Sequence, residues 1–162
     1  MKGLVSWTAL LVMLVVLQTS LLPQVLLSPY KPDLLLLLMV VLALRTPFST
    51  SLPAAYSLGM LKDCLSGIYL GLNAFSFLVV YLVLRLLSDR LYVQNAILLI
   101  MTVSVATVAT MFLNLILLTI FSESAGLLSS LMASLIPHLL MNAFAASLVA
   151  TVPEFVSARY RR

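Results

Sequence analysis

The chain has 162 residues, of which 63% are hydrophobic and 9% charged, with a formal net charge of +4. A water-soluble domain this apolar would expose large aggregating patches, so the bilayer is the solvent this sequence is written for. The diffuse positive charge excludes a nucleic-acid surface, the single Cys64 excludes an internal disulfide, and the single His138 excludes a paired-histidine zinc motif.

In hydrocarbon the backbone must pair within helices or around a closed barrel. Residues 34–41 are apolar without a break, whereas barrel strands alternate polar and apolar side chains. The expected fold is therefore all-α: a bundle of six transmembrane helices forming one domain over residues 1–162. The first span is expected at residues 4–22, behind Lys2; no small-residue cleavage site surrounds Pro23, so it reads as a retained span. Residues 28–32 form a turn. Pro32 then suits a first helical turn, and Asp33 complements the partial positive charge of a helix start. The apolar run at 34–44 is only 11 residues long, against the ~20 that a bilayer core requires. It is read as a short span over 30–46, with Arg45 snorkelling; a re-entrant segment is the alternative, leaving open whether 33–45 crosses fully.

After a turn at 46–53, the third span begins near Leu52. Residues 59–73 then break the apolar pattern with Lys62, Asp63, three glycines and Asn73. An ionisable group in hydrocarbon costs roughly 2.5–3.5 kcal/mol, so it either faces a protein interior or marks function. Ala55, Gly59, Asp63, Gly67 and Gly71 recur at every fourth position, a row along which a second backbone can approach closely. Either the helix continues to Gly71, or it breaks near Ser66 and Gly67. Lys62 is expected to reach for the membrane interface, because adjacent residues on a helix do not pair with each other.

Further spans are expected at 72–87, 93–121 and 127–151. The fifth carries a polar stripe of Thr107, Thr110 and Asn114. The sixth lines up Ser130, Ser134, His138 and Asn142 at four-residue intervals, with a kink expected at Pro137. With six spans and a cytoplasmic N-terminus, the inner segments hold Lys2, Arg45, Arg85, Arg90, Arg159, Arg161 and Arg162, and the outer loops hold only Lys31. That asymmetry follows the positive-inside rule and places both termini in the cytoplasm. The candidate polar constellation is Asp63, Asn73, Asn114, His138 and Asn142. No G-x-S-x-G, H-E-x-x-H or phosphate-binding loop occurs, so neither catalysis nor a cofactor or metal is expected.

Lys31-Pro32-Asp33 before a leucine run, followed by Gly59-x-x-x-Asp63-x-x-Ser66-Gly67-x-x-Leu70-Gly71, resembles MreD, the bacterial rod-shape-determining membrane protein family. The specific matches lie in residues 31–85; Lys62 departs from the family pattern, in which that place is usually uncharged. The resemblance implies a non-catalytic scaffold in the bacterial cytoplasmic membrane, without cofactor or metal. It implies an MreC-like single-span partner and an elongation machinery containing MreB filaments, a RodA-type glycan polymerase and its penicillin-binding transpeptidase. Gly59, Asp63, Ser66, Gly67, Gly71 and Asn73 become candidates for packing or for a partner interface. The family's fold also looks like the substrate-binding subunit of energy-coupling-factor vitamin transporters, which makes such a subunit the alternative function.

Overall fold

The computed structural model describes residues 11–21, 24, 30–66, 69–88, 96–121 and 126–151, and among these the regular structure is entirely helical. An N-terminal helix, α1, covers Leu11–Ser20 and ends in a π-helical turn at Leu17–Leu21. It is followed by α2 (Leu34–Arg45), α3 (Phe48–Ser66), α4 (Leu72–Ser88), α5 (Ala96–Phe121) and α6 (Gly126–Ala150). The expected helix order holds. The expected spans at 72–87, 93–121 and 127–151 differ from the helices by at most three residues at an end, the ordinary scatter of helix boundaries. Lys2, Gly67, the turns at 89–90 and 122–125 and the basic tail at 159–162 lie outside the described residues.

The core is built around α2. Its residues Leu35 to Ala43 are all buried, so this helix is enclosed on every side. Helices α3, α4, α5 and α6 all pack on it, while α3 pairs with α4 and α5 with α6. Both ends of α2 are closed by side chains. Asp33 is the N-cap, its carboxylate accepting from the Leu36 amide at 3.1 Å. At the other end Arg85 of α4 donates to the carbonyls of Ala43 and Thr46 at 3.1 and 3.2 Å. Those carbonyls have no partner within the helix, and a cation there also complements the helix dipole.

The outer surface inverts the pattern of a soluble protein. On α5 the residues Ile97, Met101, Val105, Val108, Phe112, Ile116 and Ile120 are all exposed, spaced three or four apart along one face. On α6 the exposed row is Ile136, Leu140, Phe144 and Leu148. The buried set meanwhile includes Ser51, Asp63, Asn73, Ser76, Thr102, Thr107, Thr110 and Asn142. Apolar stripes outside and hydrogen-bonding groups inside are what a lipid solvent selects. Two segments, Ala96–Phe121 and Ala133–Ala150, are long and apolar enough to cross a membrane by themselves.

Candidate functional site

The break in α3 is the origin of the site. The helix stops at Ser66, whose hydroxyl donates to the Asp63 carbonyl at 3.1 Å, and α4 begins only at Leu72. Of the two readings of residues 59–73, the helix that breaks is therefore the one observed. Gly71 precedes α4 with φ +94°, a left-handed conformation that glycine reaches without strain, and a Cβ added there would meet open space. Gly71 is accordingly a turn residue, and the expected five-member helical row is shorter: it ends where the helix does.

What remains of the row faces α4. Ser51, Ala55, Gly59 and Asp63 are all buried, one turn apart. The Ser51 hydroxyl hydrogen-bonds that of Tyr81. At Gly59 an added Cβ would lie 2.5 Å from the Ala74 Cα and 2.8 Å from the Asn73 carbonyl oxygen. Only a residue without a side chain admits α4 so close, and that closeness delivers the start of α4 to Asp63. The Asp63 carboxylate is 0% exposed and accepts four hydrogen bonds. Its Oδ1 receives the backbone amide and the side-chain amide of Asn73, each at 2.9 Å. Its Oδ2 receives the amides of Gly71 at 2.9 Å and Ala74 at 3.0 Å. Asp63 thus satisfies three of the four backbone N–H groups that a helix start leaves unpaired, from outside the helix it caps.

Lys62, expected at the membrane interface, is held by a partner on the neighbouring helix. Its ammonium forms an ion pair with Asp33 of α2, with 23% and 12% of the two side chains exposed, and lies 5.1 Å from the centre of the Phe77 ring. The partner lies 29 residues earlier in the chain and faces Lys62 only because α2 and α3 pack side by side. A nearby carboxylate and an aromatic face lower the cost of holding an ammonium against an apolar bundle.

Polar side chains carry the connection onward. Asn73 accepts from the Asn114 amide at 3.1 Å, and Ser76 donates to the Asn114 carbonyl oxygen at 2.6 Å, joining α4 to α5. Asn142 donates to the Thr107 hydroxyl at 3.0 Å and accepts from the Asp33 backbone amide at 2.6 Å, joining α6 to α5 and to α2. The expected constellation therefore divides. Asp63, Asn73 and Asn114 meet directly, Asn142 belongs to the Asp33 branch, and half-buried His138 lies near the Lys31 backbone, apart from Asp63. The sequence reading missed the Lys62–Asp33 pair, the Arg85 cap and Ser76. Asp33 directly after Pro32 had signalled a helix start, but nothing local signalled its cation.

No group of three or more His, Cys, Asp or Glu side chains that could hold a metal occurs among the described residues. The family model described as rod shape-determining protein MreD matches residues 1–156. The chain belongs to the MreD family. As an MreD protein it is a bacterial inner-membrane protein with a role in determining rod shape. No curated protein and no solved structure matches it significantly, so the expected likeness of this MreD to energy-coupling-factor substrate subunits finds no support.

Proposed function

We propose that this MreD protein is a non-catalytic membrane scaffold of the rod complex. In this reading it binds an MreC-like single-span partner and couples the cytoskeleton to peptidoglycan synthesis. The observation that carries the reading is the commitment of its intramembrane charges. Asp63 spends its carboxylate on the start of α4, and Lys62 and Asp33 neutralise each other between α2 and α3. A transport or catalytic carboxylate has to exchange partners; these are fixed structural groups that stiffen a bundle. A stiff bundle with long apolar outer stripes suits the docking of a transmembrane helix, which gains packing and interhelical hydrogen bonds against it. Gly59, Asp63 and Asn73 act here as packing residues that hold the α3–α4 corner, with Ser66 and Gly71 shaping the connection. The chain crosses the cytoplasmic membrane several times with both termini inside.

The deciding experiment is purification from native membranes with identification of the proteins that accompany it. Recovery of an MreC-like protein, with the polymerase, transpeptidase or MreB, and rounding of rod-shaped cells on depletion are expected. Recovery of an ATPase module without any wall-synthesis protein would overturn the scaffold. Reporter fusions at Arg162 and at Glu123 should read cytoplasmic and extracytoplasmic; an extracytoplasmic C-terminus would refute the topology.

A further inference from the structure

Polar groups of five helices form a circuit whose two arms join on α3 only through the backbone between Lys62 and Asp63, and which has a gap elsewhere. It runs from Lys62 and Asp63 on α3 through Asn73 on α4 to Asn114 on α5, and from Thr107 on α5 through Asn142 on α6 to Asp33 and back to Lys62. The gap lies along α5. Thr107 and Asn114 are seven residues apart, about 10.5 Å of helix axis, too far for their side chains to touch. Thr110 lies between them on the same buried face. It is 2% exposed, and its hydroxyl has no hydrogen-bond partner.

The other threonines of α5 are all partnered. Thr102, Thr107 and Thr119 each return their hydroxyl to the carbonyl four residues earlier, at 2.7, 2.8 and 2.7 Å. Thr110 does not, although it is the most buried of them. Asn114 and Asn142, on either side of the gap, each commit one amide hydrogen to the circuit and retain a second. A buried hydroxyl without a partner is costly, and neutral amide donors beside it supply the two to four polar contacts that an interior water requires.

We propose that an ordered water occupies the interior beside Thr110, accepting from the spare amide hydrogens of Asn114 and Asn142 and hydrogen-bonding the Thr110 hydroxyl. It closes the circuit. The ligand is neutral because the charges in the circuit are already balanced: Asp63 by four N–H donors, Asp33 by Lys62.

Water-to-protein magnetisation transfer in solid-state NMR of the bilayer-embedded full chain, labelled at threonine and asparagine, tests this. Transfer is expected to the Thr110 side chain and to the amides of Asn114 and Asn142, with loss at both amides in Thr110→Val. In detergent, Thr110→Val should melt about 2–4 °C below the parent, with Thr110→Ser close to it. No transfer to Thr110 in the parent protein overturns the proposal, and so does a Thr110→Val variant melting at or above the parent. Should the valine variant fail to fold, the parent spectrum alone decides.

Discussion

Two helices of this bundle begin under a carboxylate inside the apolar layer, and the two carboxylates are stabilised by different means. Asp33 caps its own helix, accepts one backbone hydrogen bond, stays 12% exposed and takes Lys62 as counter-ion. Asp63 caps a helix to which it does not belong, accepts four N–H donors and is fully buried, with no ion pair found for it among the described residues. The difference shows what a buried charge requires. Aligned amides at a helix start, with the partial positive charge they carry, can stand in for a cation. Where only one such amide is aimed at the carboxylate, a lysine has to be brought from the neighbouring helix.

Substitutions sharpen the contrast, and Asp63→Ala should have the largest effect. It strands three backbone amides and the Asn73 side chain, and should cost about 3–5 kcal/mol in a steric-trapping or denaturant unfolding assay in bicelles, with loss of rod shape. Gly59→Leu follows at about 3 kcal/mol or more, because its side chain would overlap the first turn of α4 and pull the donors off Asp63. Asp63→Asn should cost about 2–3 kcal/mol. Each carboxylate oxygen serves two donors, so the amide NH2 faces two N–H groups whichever way it is turned. An isosteric amide is therefore not silent at this site even where packing is the whole role, and it does not separate packing from partner binding.

On the Asp33 side the effects should be smaller. Lys62→Met should cost about 1–2 kcal/mol, since Asp33 keeps its cap and some contact with solvent. Adding Asp33→Asn should restore part of the loss, because the pair then disappears together; a double variant no better than the sum of the singles would show the two residues to be uncoupled. Ser51→Ala should be the mildest, at about 1 kcal/mol, reporting the hydroxyl's bonds to Tyr81 and to the Pro47 carbonyl at the far end of the α3–α4 seam.

Much of this contrast was legible in the sequence, and the reason for the remainder is specific. Pro32 and Asp33 announce the start of α2 because an N-cap sits beside the helix it serves. The cap of α4 is hidden: the position before Leu72 is Gly71, and the capping carboxylate lies eight to eleven residues upstream on another helix. Four-residue spacing identified Ser51's neighbours Ala55, Gly59 and Asp63 as one face. It extended that face through Gly71 because periodicity carries no mark where a helix stops. Asp63, Asn73 and Asn114 could be grouped as polar outliers in apolar surroundings, yet the partner of Lys62 is set by packing between helices, which leaves no local trace.

The shortness of α2 has a consequence for how the protein is made. Twelve residues extend about 18 Å, well under the ~30 Å of a hydrocarbon core, so α2 alone is a poor stop during insertion. The turn to α3 is only Thr46 and Pro47, with the Pro47 carbonyl accepting the Ser51 amide at 3.1 Å, so the two helices should leave the translocon as one hairpin. The guanidinium that closes α2 arrives later, with α4. In a nascent chain ending at Arg45, α2 should therefore stay open to a membrane-impermeant label, whereas in one extended past Arg85 it should be protected.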